Sequence, residues 1–103
     1  MKKQLTTKQV LTRARKLIEK GWTRKALARN KYRHEVQVDS PSACKFCAIG
    51  AVARVTGFDA EAYRPALYAL SSVINFSGLA TFNDTHTKQA VLDLYSKAIE
   101  LCS

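Results

Sequence analysis

Apolar positions recur at helical spacing over residues 7–20, where Val10, Leu11, Ala14, Leu17 and Ile18 fall on one stripe. Thr7 is placed to cap this helix, and Gly21 to end it in the left-handed conformation, with Trp22 folding back onto Leu17 or Ile18. Thr23 then opens a short helical stretch, Arg24 to Arg29, with Leu27 inward. From Tyr32 the period changes: Tyr32, His34, Val36 and Val38 alternate with polar neighbours, the signature of an extended piece or small hairpin near residues 28–38. Asp39-Ser40-Pro41 reads as a helix start, a capping side chain followed by Pro at the first helical position. The helix it predicts runs from 41 to about 56 and stops at Gly57. It is apolar on nearly every face, which marks a central helix wrapped by the others.

Beyond Gly57, Asp59 is placed to cap the next segment, with Phe58 stapled against Tyr63. Pro65 restarts the helix, Leu67, Tyr68, Leu70, Val73 and Ile74 supply its buried side, and Gly78 ends it. Residues 79–86, rich in Thr, Asn and Asp, read as a loop. Thr87 caps a last helix over 88–102, with Val91, Leu94, Tyr95, Ala98 and Ile99 on one face. The fold class expected is mostly α: a compact bundle of four to five helices around a central apolar helix at about 41–56. All 103 residues form one helical domain, residues 1–6 being a flexible arm.

Composition adds few constraints. An apolar fraction of 47% suits a folded globular chain. No apolar run approaches the roughly 18 residues of a membrane-spanning helix, and the basic N-terminus lacks the apolar core of a secretory signal. Three cysteines are too few for a disulfide framework, which fits a reducing cytoplasm.

Charge changes the picture more. Residues 1–34 hold twelve of the seventeen Lys and Arg against a single acid, Glu19, a net +11, whereas residues 35–103 carry a net −2. So lopsided a field selects a polyanionic or acidic partner. The residues placed to meet it are Lys8, Arg13, Arg15, Lys16 and Lys20 on the first helix, then Arg24, Lys25, Arg29, Lys31 and Arg33, with Tyr32 as a stacking platform. The competing reading is a merely solvated face.

Other candidates are weaker. Cys44 and Cys47 form a C-x-x-C, but zinc needs two more ligands, and His34, His86 and Cys102 stand at no recognised spacing. Two cysteines buried in the central helix account for the pair, and Cys47 as a nucleophile needs a histidine partner. Asn83, Asp84 and Thr87 suit either a small-ligand loop or ordinary turn and capping chemistry. Thr23-x-x-x-Leu27-Ala28 has the look of a first helix-turn-helix element, yet Pro41 leaves no room for a recognition helix. No catalytic residue, metal or cofactor is expected.

Three blocks together resemble a known family: Gly21-Trp22-Thr23 with Ala28-Arg29; Phe46-Cys47-Ala48-Ile49-Gly50-Ala51, an aromatic-Cys-x-x-Gly-Ala motif; and Phe82-Asn83-Asp84 with Thr87, Val91-Leu92 and Ala98-Ile99. The family is a set of small phage and bacterial proteins grouped as a domain of unknown function, and the resemblance spans about residues 10–101. It implies a shared fold and no activity; Cys44 lies outside its motif. The expected function is a small non-enzymatic binding protein that contacts nucleic-acid backbone through residues 1–34. The alternatives are a phage-encoded inhibitor or adaptor on an acidic host-protein surface, in the host cytoplasm, and a small-molecule or nucleotide-binding protein.

Overall fold

The first helix, α1 (Thr7–Lys20), starts from a reciprocal cap. Thr6, rather than Thr7, is the cap: its Oγ1 accepts from the Gln9 N–H at 3.1 Å, while Gln9 Oε1 accepts from the Thr6 N–H at 2.9 Å. The computed structural model describes residues 5–102. Leu5 packs on the core and Thr6 caps, so these two belong to the fold rather than to an arm; residues 1–4 of the expected arm lie outside the described residues. Val10, Leu11, Ala14 and Ile18 are fully buried, as their spacing requires.

After α1 the chain departs from the sequence reading. Gly21 is extended (φ −168°, ψ 127°), not left-handed. Its small size serves a close approach instead, since a Cβ there would lie 2.1 Å from the Cys44 carbonyl oxygen. Trp22 bridges to Phe46 in parallel. Residues 24–27 bend rather than coil, leaving Leu27 39% exposed, and Ala28–Arg29 form strand β1. β1 pairs antiparallel with β2 (Lys45–Phe46) in the register Ala28 to Phe46 and Arg29 to Lys45. With Thr23–Ala28 not helical, the helix-turn-helix reading falls. The expected hairpin is present: Arg29 bridges to Glu35, and Asn30 Oδ1 accepts from the Tyr32 and His34 N–H groups to close the loop.

The helix expected over 41–56 is only half there. Helix α2 is Ala48–Thr56, and residues 41–47 are turn and strand. The cause is non-local pairing. The N–H groups of Cys44, Phe46 and Cys47 donate to the carbonyls of Arg29, Gly21 and Leu27, so they are unavailable for a helical ladder. Cys47 is the N-cap, its Sγ accepting from the Gly50 N–H at 3.2 Å. The centre is also shared: α2 packs on α1, while α1 reaches the third and last helices as well.

The third helix, α3 (Ala60–Val73), is continuous through Pro65 and ends before Gly78. Phe58 packs on Tyr63 with ring centroids 5.2 Å apart and tilted by 55°, although Asp59 makes no side-chain cap bond, and Tyr68, expected on the buried side, is 66% exposed. Residues 79–85, read as loop, form helix α4 (Leu79–Thr85), with Gly78 at its N-cap. Leu79 and Asn83, four apart, are its buried stripe. Helix α5 (Lys88–Leu101) begins as expected, Thr87 Oγ1 accepting from the Ala90 N–H at 3.1 Å. Among the described residues no helix is long and apolar enough to cross a membrane.

Candidate functional site

Asn83 is a buried amide whose full bonding capacity is met within the protein. Its Oδ1 accepts from Trp22 Nε1 at 2.8 Å and from the Ala48 N–H at 2.9 Å. Its Nδ2 donates to the Thr23 carbonyl at 3.1 Å and to Asp84 Oδ1 at 3.2 Å. Asp84 Oδ1 also accepts from the Lys25 N–H, at 2.9 Å. The fully buried Tyr95 hydroxyl donates to the Ala48 carbonyl, and burial holds that phenol well above its ordinary pKa. The three sequence blocks therefore meet in one knot: Trp22–Thr23, Ala48, and Asn83–Asp84. Thr87 caps α5, and Asn83 and Asp84 bond within the fold while also lining a hollow beside Cys47.

On the outer side of Trp22 lies a groove of about 520 Å³, lined by Trp22, Thr23, Arg24, Arg29, Arg33 and Lys45. Among the described residues lining it none is acidic. Two of its guanidinium groups are held by neutral backbone oxygens. Arg24 Nη2 donates to the His86 carbonyl at 2.6 Å and its guanidinium lies 4.7 Å over the Trp22 ring. Arg29 Nη1 donates to the Arg33 carbonyl at 2.8 Å and Nη2 reaches the Arg24 carbonyl at 3.5 Å. Each is positioned without losing its charge to a carboxylate. His86 is steadied in turn, its ring stacked on Phe82 at 3.8 Å with Nδ1 2.9 Å from the Phe82 carbonyl oxygen.

Register sharpens this arrangement. Arg29 and Lys45 are direct partners across the β1–β2 pair, so their side chains leave the ladder on the same face. Like charges placed directly opposite destabilise a sheet. The groove thus gathers positive charge, with Glu35, bridged to Arg29 on its other side, standing outside the lining.

The structure does not gather every basic residue of the first third. Arg24, Arg29 and Arg33 meet in the groove. Lys8, Arg13, Lys16 and Lys20 remain on the outer face of α1, outside its lining. Arg15 turns to α5 instead: its Nε donates to the Leu92 carbonyl and to Ser96 Oγ, and its Nη1 pairs with Glu19 at 3.1 Å. Lys25 lines a separate hollow beside Cys47 and Asp84. Tyr32 is 67% exposed, with Lys31 Nζ 5.1 Å from its ring centroid. Trp22, Thr23 and Lys45 join the groove although the sequence marks none of them as a binding residue. Lys45 lies outside the basic third, and only the strand register brings it opposite Arg29.

The cysteines are not a helical pair. Cys44 is exposed and Cys47 buried. They sit three residues apart along extended chain, about 10 Å at strand rise, beyond the roughly 7 Å that a disulfide spans. Burial, the largest influence, raises the Cys47 thiol above its ordinary pKa, the reverse of an activated nucleophile. Iodoacetamide at neutral pH is therefore expected to alkylate Cys44 rapidly and Cys47 only on unfolding. Peptide mass spectrometry over time checks this, and equal labelling rates would contradict it. No group of three or more His, Cys, Asp or Glu among the described residues is placed to hold a metal ion.

The chain belongs to a family of unknown function (DUF6197), whose model matches residues 2–101. Comparison with curated proteins and with solved structures returns no match.

Proposed function

We propose that this chain is a small non-enzymatic protein that holds the phosphate backbone of a nucleic acid in the groove beside Trp22. The observation that carries the reading is the Arg29–Lys45 register in a concavity without a carboxylate. Arg24 and Arg29, fixed by backbone carbonyls, offer planar donors suited to phosphate oxygens. The exposed α1 cations Lys8, Arg13, Lys16 and Lys20 extend the attractive field that steers a polyanion toward the protein. Tyr32, exposed at the hairpin tip, supplies a face for a base. Three free cysteines suit the reducing cytoplasm that this reading implies.

Binding of this kind weakens steeply with salt. If the groove cations and the exposed α1 cations together neutralise about four phosphates, log Kd against log salt should change with a slope magnitude of about 3 for single strands and about 4 for duplex. Trp22 is the sole tryptophan and lines the groove, so its fluorescence reports occupancy directly. A titration that finds neither DNA nor RNA binding at low salt overturns the proposal. A partner retained from a nuclease-treated host lysate, in that event, assigns the groove to an acidic protein surface instead.

A further inference from the structure

We infer that the groove takes a phosphomonoester dianion, the terminal phosphate of a strand, in preference to the internal phosphodiesters that run past it. This rests on the backbone-binding reading and specifies which phosphate of the strand is held.

Charge and shape carry the inference. Arg24, Arg29, Arg33 and Lys45 do not form a stripe along a surface; they surround one concavity of about 520 Å³, within the roughly 300–1,000 Å³ range of small-ligand sites. An internal phosphodiester brings one negative charge and continues in both directions. A terminal phosphate brings a charge of about −1.5 to −2 at a single point, with three acceptor oxygens. Four cations lining one groove match the second ligand better, and the like-charged Arg29–Lys45 pair is most relieved by a concentrated anion.

The backbone around the groove adds an independent observation. Arg33 has φ 68°, a left-handed conformation uncommon for a residue with a side chain. That conformation belongs to the loop in which the Arg33 N–H donates to the Asn30 carbonyl at 3.0 Å and the Arg33 carbonyl receives Arg29 Nη1. Lys25, next to Arg24, is also left-handed at φ 64° and is tied down by Asp84. The Arg33 bend presents the carbonyl that holds Arg29. Strain held at positions that orient charged side chains is the pattern of a pre-formed site.

Binding is tested with one short oligonucleotide sequence carrying either a terminal hydroxyl or a terminal phosphate, and with the matching mononucleotide, read by Trp22 fluorescence and by anisotropy. The phosphorylated strand should bind at least about tenfold more tightly than the hydroxyl strand, the equivalent of one charge-assisted hydrogen bond. Lys45→Gln should reduce that advantage, and Arg29→Lys, which keeps charge but loses the planar fork, should also reduce it while the protein keeps its native circular dichroism. Equal affinity for the two strands overturns this inference and leaves backbone binding standing. A mononucleotide that binds as tightly as the phosphorylated strand keeps the phosphomonoester but removes the strand, overturning the backbone reading. No binding by any of the three overturns both.

Discussion

Replacing Asn83 with Ala is expected to cost about 4 kcal/mol of stability, from one buried and two part-buried groups losing their partners at about 1–3 kcal/mol each. The Ala48 N–H and Trp22 Nε1–H lose their acceptor, and the Thr23 carbonyl loses a donor. No other element is placed to replace them, because the Ala48 N–H lies in the first turn of α2, where a helix has no internal acceptor to offer. Small domains have about 5–15 kcal/mol in all, so the loss is roughly a quarter to four-fifths of it. For a domain of this size it corresponds to a fall in Tm of about 20 °C. Asn83→Leu refills most of the space and leaves the same groups unpaired, so it should fare little better. Thermal melts by circular dichroism decide the matter. A loss below about 1 kcal/mol for both variants, the worth of one ordinary hydrogen bond, would show the knot to be dispensable.

The same residue shows why part of the fold was legible in the sequence and part was not. Asn83 sits among Thr, Asn and Asp, a composition that reads as a turn, and a seven-residue helix offers only Leu79 and Asn83 as its buried stripe. Nothing local separates a buried, fully bonded asparagine from an exposed one. α1 and α5 were readable because each is 14 residues long and repeats its apolar stripe over several turns. Asp39-Ser40-Pro41 is a sound local start signal that tertiary pairing overrides: Ser40 and Ala43 close turns onto Gln37 and Ser40, and the chain then joins β1 as a strand.

The candidate site divides in the same way. Its charge was visible as the basic third, but its membership was not. Arg15 has the same spacing as its exposed neighbours and yet reaches across to Leu92 and Ser96, 77 and 81 residues away in sequence. Lys45 sits where the chain's charge is otherwise balanced and becomes part of the groove only through its register with Arg29. Charge counting along a sequence finds the sign of a partner; which cations converge depends on contacts between distant segments.

Gly50→Ala sets two principles against each other, and magnitude settles the sign. In a helix interior Ala is favoured over Gly by about 0.8–1.0 kcal/mol, so propensity alone makes the change stabilising. Packing opposes it. A Cβ on Gly50 would stand 1.9 Å from the Leu27 carbonyl oxygen and 2.7 Å from its carbon, backbone atoms that no rotamer change removes. That segment is fastened on both sides, since the Leu27 carbonyl receives the Cys47 N–H at 3.2 Å and the next residue, Ala28, is fully buried in β1. Relief requires α2 and residues 27–29 to part by more than an ångström, which breaks that bond and opens the sheet. Overpacking costs about 1–3 kcal/mol where side chains absorb it, and backbone against backbone lies at or above the upper end, so a net loss of about 3 kcal/mol is expected. Gly57→Ala provides the comparison: it meets no neighbour, and its left-handed φ of 63° should cost only about 1 kcal/mol. The ranking of these two variants by chemical denaturation is therefore the reverse of what helix propensity gives, since Gly50 is the helical one. The effect also reaches the groove, because Leu27 is two residues from Arg29. In any Gly50→Ala protein that still folds, displaced β1 should carry the Arg29 guanidinium off the Arg33 carbonyl, and Trp22-monitored binding should weaken with it. Stability equal to that of Gly57→Ala, with binding intact, would mean that the Leu27 segment yields without disturbing either the core or the site.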